Sequence, residues 1–94
     1  MDYNQDIGSI DAQALKVAFG RVVYRHRLDI GIEQRPFSRM SGVGNSHLRR
    51  IEAGEASPSL TTIAKIASAF AVEPADLLDE TYRLMEQERR SSRA

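Results

Sequence analysis

No cysteine and no tryptophan occur among the 94 residues. Disulfide cross-links and thiol chemistry are therefore excluded, and this usage fits a cytosolic protein. Long apolar runs are also missing. Nothing approaches the ~20 consecutive apolar residues that a membrane-spanning helix needs, so no membrane partner is expected. The opening stretch, MDYNQDIGSID, is acidic and lacks the basic and apolar regions of a signal peptide. The 2 histidines stand far from any ligand-spaced cluster of Asp, Glu or Cys, which argues against a metal site. There is no nucleophile–base–orienter set and no phosphate-binding loop, so no enzymatic activity, catalytic residue or cofactor is expected. The length suits one domain with a small core.

The formal net charge is also zero, but the charges are segregated. From Ala12 to Ile51 there are eight basic residues (Lys16, Arg21, Arg25, Arg27, Arg35, Arg39, Arg49 and Arg50) against two acids, Asp29 and Glu33. From Glu52 to Glu88 there are eight acids against two bases. A partner responds to the local field rather than the total, so the basic half is compatible with nucleic acid.

Helical periodicity runs through most of the chain. Asp11 is a plausible N-cap, and Leu15, Ala18, Phe19, Val22, Val23 and His26 then recur at three and four residues as far as about Leu28. Gly20 interrupts this face at a cost of about 1 kcal/mol relative to alanine, which implies a packing reason. His26 reads as a partly buried ring with its hydrogen bonds satisfied. Asp29-Ile30-Gly31 ends the helix. A short helix follows, roughly Gln34 to Met40, with Pro36 in its first turn and Phe37 and Met40 on one face. Ser41-Gly42-Val43 breaks it. The next helix, roughly Asn45 to Ala53, carries Leu48 and Ile51 inward and stops at Gly54. Its polar face shows Asn45, Ser46, His47, Arg49 and Arg50.

After a loop from Ala53 to Pro58, Ser59 caps a fourth helix, Leu60 to Phe70. Its expected inward residues are Leu60, Ile63, Ala64, Ile66, Ala67 and Phe70. Pro74 suits the first turn of a fifth helix. The stripe Leu77, Leu78, Tyr82, Leu84 and Met85 continues beyond it, so 79–90 is either the same helix prolonged or a sixth. That stripe either packs on the first helix or forms a homodimer contact. The expected organisation is an arm over 1–10, a domain over 11–78 and a helical extension over 79–94 with an unstructured tip from Ser91.

The pattern G-I-E-Q-x-x-F-S-x-M-S-G-V-G-x-S-x-L-x-R-I-E-x-G resembles the core of the Cro and lambda-repressor-like regulators, the XRE class. The resemblance extends from about Phe19 to Leu78. Its anchors are Gln34, Gly42, the Ile51-Glu52-x-Gly54 ending and Pro58-Ser59-Leu60. It implies a compact, all-α, five- to six-helix lambda-repressor-like domain with a helix-turn-helix at about 34–53. The implied function is sequence-specific double-stranded DNA binding by a prokaryotic or phage transcriptional regulator. Such a protein works as a homodimer on a DNA operator, in the cytoplasm and at the nucleoid when bound. The recognition helix, about 45–53, would lie in the major groove.

By the same resemblance Asn45, Ser46 and Arg50 match base-reading positions, with Arg49 placed beside them. Asn45 suits adenine N6 and N7, and Arg50 suits guanine O6 and N7. Gln34 matches a phosphate-binding residue at the start of the second helix, where the dipole favours an anion. Arg35, Arg39, His47 and Ser57 would add backbone contacts. Arg27 and Glu52 match a structural ion pair between the first helix and the end of the recognition helix. This chain departs from the pattern at Glu33 (usually a serine or threonine cap), Ser38 (usually alanine), His26 (usually apolar) and Glu55, whose charge opposes a phosphate backbone. The alternative reading is an antitoxin-like or regulatory protein-interaction module. It would engage a protein partner through the acidic C-terminal helices.

Overall fold

The computed structural model describes residues 11–93, and the expected arm at 1–10 lies outside them. Five helices make up the described residues: α1 (Ala12–Ile30), α2 (Gln34–Ser41), α3 (Asn45–Glu52), α4 (Leu60–Ala69) and α5 (Pro74–Arg93). Local chemistry accounts for most of the boundaries. The Asp11 carboxylate accepts from the backbone N–H groups of Gln13 and Ala14, at 3.0 and 3.1 Å, and so starts α1. The Ser59 hydroxyl accepts from Thr62 N at 3.1 Å and starts α4. Glu33 makes no side-chain cap bond to α2, in keeping with its poor suitability as a cap. Gly42 closes α2 at φ 79°, a conformation that most side chains resist.

The core is built on Phe19, Val23, Phe37, Leu48, Ile51, Ile66 and Leu77, all buried. Phe37 and Phe70 stack with ring centroids 4.5 Å apart, and the His26 ring lies 4.9 Å from Phe70. His26 is half-buried, and its Nε2 sits 2.7 Å from a Glu80 carboxylate oxygen, which satisfies the ring as expected.

Three apolar side chains expected inward face out. Leu60 is 81% exposed, Met40 is 52% exposed, and Ala64 is also exposed. The buried side of α4 centres on Ile63, Ile66, Ala67 and Phe70. At 100° per residue Leu60 and Ala64 fall about 70° and 110° from that centre, towards the edge of the face and beyond it. Periodicity identifies a face, but tertiary neighbours decide its width.

The segment 79–90 prolongs α5 rather than forming a sixth helix, and α5 includes Ser91 to Arg93, expected to be an unstructured tip. Its stripe lies against α1, with Leu77, Thr81 and Leu84 buried. An Arg21–Glu88 ion pair and a His26–Glu80 hydrogen bond connect the two helices across this contact. Tyr82 falls off this face and is 45% exposed. None of the described helices is long and apolar enough to cross a membrane.

Gly20 is where α1 crosses the end of α3. A Cβ there would lie 2.3 Å from the Ile51 carbonyl oxygen and 2.9 Å from that of Glu52. Backbone atoms cannot swing away, so the absence of a side chain sets the approach of the two helices. Gly20→Ala should therefore destabilise the fold by about 1–3 kcal/mol despite its better helix propensity. Urea denaturation measures this, and an unchanged or raised midpoint would contradict the crossing.

Candidate nucleic-acid interface

The turn between α2 and α3 is stitched by hydroxyl groups. The Gly42 N–H donates to the Ser38 carbonyl at 3.0 Å, which ends α2. The Ser38 hydroxyl donates to the Val43 carbonyl. The Ser41 hydroxyl accepts from Val43 N at 3.2 Å. These bonds hold Val43 in the core between the helices. Ser38, an apparent departure from the family pattern, thus has a partner that alanine would lack.

A second constraint lies behind the turn. The Arg27 guanidinium grips Glu52 bidentately, with Nε to Oε2 at 2.7 Å and Nη2 to Oε1 at 2.8 Å. Its remaining nitrogen, Nη1, donates to the Ile32 carbonyl at 2.8 Å. The Gln34 amide donates to the same Glu52 carboxylate at 2.9 Å. The Arg27 and Glu52 side chains are only 7% and 6% exposed. Hydrogen bonding to Glu52 raises the Arg27 pKa above its ordinary value, against the opposing effect of burial. Arg27 belongs to α1, Gln34 opens α2 and Glu52 closes α3, so one carboxylate ties three helices.

The outer surface of α3 differs in character. Ser46, Arg49 and Arg50 are exposed, and with Ala53 and Glu55 they line a shallow groove of about 220 Å³. Arg35 and Arg39 stand one turn apart on α2, both exposed. Among the described residues, none of these four arginines has a carboxylate within 4.0 Å. The ion pairs among the described residues involve Arg21, Arg27, Arg83, Arg89 and Arg90 instead. Ser57 is exposed in the loop after α3, and His47 is half-buried.

Two candidates have a geometry that the sequence could not indicate. One N–H of Gln34 is engaged by Glu52, which leaves its carbonyl oxygen and second N–H for a ligand. Asn45 is half-buried, and its amide oxygen is shielded without a hydrogen-bond partner. An unpartnered buried acceptor costs about 1–3 kcal/mol, so turning outward onto a donor would be favourable. Glu52 lies 18 residues beyond Gln34, outside any local spacing rule, and no sequence signal fixes a side-chain rotamer at Asn45.

A sequence model described as helix-turn-helix matches residues 23–77. Among solved structures, the chain is similar to the clp gene regulator ClgR from Corynebacterium glutamicum, at 26% identity over 83% of each chain with a TM-score of 0.77. A second ClgR structure gives 28% identity over 76% of this chain and 92% of that one, with a TM-score of 0.69. The restriction-modification controller protein C.AhdI from Aeromonas hydrophila is 32% identical over 66% of this chain and 94% of its own, with a TM-score of 0.63. No curated protein sequence matches.

The buried pair makes a sharp stability prediction. Glu52→Ala leaves the Arg27 guanidinium buried and unpaired and should cost about 3–5 kcal/mol. Replacing Arg27 and Glu52 together by methionine should cost clearly less. Urea unfolding of the single and double variants decides it, and strictly additive losses would contradict the coupling.

Proposed function

The chain belongs to the helix-turn-helix family, in its XRE-type branch, and on that premise we propose that it is a sequence-specific, double-stranded-DNA-binding regulator of transcription. The observation that carries this reading is the set of exposed arginines on the motif, Arg35, Arg39, Arg49 and Arg50. They lack carboxylate partners among the described residues, whereas Arg21, Arg27, Arg83 and Arg89 each have one. Arginines left without internal partners suit phosphate and guanine, both of which accept bidentate hydrogen bonds.

In the proposed complex α3 enters the major groove, with Asn45, Ser46, Arg49 and Arg50 reading base edges. Gln34, Arg35, Arg39, His47 and Ser57 hold the backbone. Asn45 must rotate its amide oxygen outward to pair with adenine, which relieves the unsatisfied acceptor of the free protein. An eight-residue recognition helix covers one half-site, and Glu55 weakens the backbone contact beside it. Both points favour a homodimer on a two-fold operator, with half-sites about 34 Å apart.

The alternative, a module that docks a protein partner through acidic C-terminal helices, finds less support. Much of the acid on α5 is already engaged: Asp79 with Arg83, Glu80 with His26, Glu86 with Arg89, and Glu88 with Arg21.

Fluorescence anisotropy with matched and single-base-changed duplexes tests the assignment. Arg50→Ala should cost about 1–3 kcal/mol on the preferred duplex and flatten preference at one base position. Arg35→Ala and Arg39→Ala should weaken binding to all duplexes alike and reduce the slope of log K against log salt by about 1 each. Uniform weakening by Arg50→Ala would overturn its base-reading role.

A further inference from the structure

Tyr24 stands on α1 three residues before Arg27, and its ring lies over the Arg27 guanidinium, 5.4 Å from ring centroid to Cζ. This is an attractive cation–π contact. The Arg27 side chain is buried, whereas Tyr24 is 46% exposed. The ring therefore rests on the guanidinium and keeps part of its surface in solvent, a placement that suits a side chain with an apolar body and a polar tip. Phenylalanine would cover Arg27 equally well, so the cover does not account for the hydroxyl. None of the hydrogen bonds at the Arg27–Glu52 fork uses that hydroxyl.

The fork brings a second donor to this ring. Arg27 Nη2 and Gln34 Nε2 donate to the same Glu52 oxygen, Oε1, at 2.8 and 2.9 Å. Tyr24 of α1 and Gln34 of α2 therefore gather around one fork. Gln34 is half-buried, and its amide keeps one N–H beyond the bond to Glu52. Arg35 follows it and is exposed, with Arg39 one turn further along α2. Tyr24 thus continues onto α1 a row of donors that runs along α2. Glu33 is exposed beside Gln34 and opposes an anion there, and the adjacent Arg35 offsets that charge.

We propose that Tyr24 is a further contact to the DNA backbone, its hydroxyl donating to the phosphate that the remaining N–H of Gln34 engages. The proposal rests on the DNA-binding reading given above. A phosphate oxygen accepts more than one hydrogen bond, and an O–H donor to a charged oxygen makes a short, strong one. The guanidinium holds the ring, and Glu52 holds the guanidinium, so little side-chain freedom remains to be lost on binding. Tyr24 lies outside α3, the helix assigned to the groove, so its contact carries no base preference. The donor is neutral, so it adds affinity without releasing a counterion.

Tyr24→Phe tests it on the full chain, because it keeps the ring over Arg27 and removes only the hydroxyl. In fluorescence anisotropy the variant should bind preferred and scrambled duplexes about tenfold more weakly, by the same factor on both. The slope of log K against log salt should stay unchanged, unlike that of Arg35→Ala. The urea midpoint of the variant should also be unchanged. Equal affinity, a loss confined to one base position, or a lowered midpoint that would mark a purely structural hydroxyl overturns the proposal. A second measurement needs no duplex. Inorganic phosphate is titrated into the protein while NMR follows the Gln34 side-chain amide. Its signals should shift with phosphate in the wild type, and the titration should be several-fold weaker in Tyr24→Phe. No shift, or an identical titration in the variant, overturns the proposal whatever the duplexes show. A wild type that binds no duplex but passes the phosphate test would sink the DNA-binding reading and leave the Tyr24 phosphate site standing.

Discussion

The carboxylate of Glu52 is the point on which the rest of the structure depends. It receives two hydrogen bonds from Arg27 and one from Gln34, and these residues lie on the first, second and third helices. Burial of such a pair contributes little net stability, because desolvating both charges offsets most of their attraction. Its value is geometric: a bidentate fork accepts a narrow range of positions and angles. Gly20 complements it from the opposite direction by letting α1 touch the backbone of α3 at Ile51 and Glu52. Together the close crossing and the buried fork fix where the exposed side of α3 points.

Charge is used in two ways in this molecule. On α1 and α5 part of it is paired internally, through Arg21 with Glu88, Asp79 with Arg83 and Glu86 with Arg89. On α2 and α3 four exposed arginines have no such partner among the described residues. Pairing shields one side at short range, while the unpaired side retains its field for an incoming polyanion. A chain with no net charge can therefore bear a strongly basic surface.

The helix-turn-helix was legible in the sequence because its boundaries are local. Asp11, Ser59 and Gly42 act on backbone groups within a few residues of themselves, so α1, α2 and α4 start or stop close to where those residues indicate. α3 ends at Glu52, one residue before the expected Ala53. The width of the buried faces was not legible. Leu60, Ala64 and Met40 satisfy the helical period, yet all three are exposed. Nor were the non-local bonds visible. The engagement of Gln34 by Glu52 depends on how α2 meets α3, and the buried oxygen of Asn45 depends on a rotamer. The sequence pattern of 79–90 suits two surfaces, and of these the packing on α1 is what the buried Thr81 and Leu84 display.

The central claim is that this arrangement reads DNA sequence. The most direct measurement is selection of the purified protein against a library of fully randomised duplexes, with sequencing of the bound fraction at moderate salt. The account predicts enrichment of one short motif, repeated with two-fold symmetry and with its two halves one helical turn apart. Recovery of a bound pool indistinguishable in sequence from the input, or no bound pool even at low salt, would contradict it.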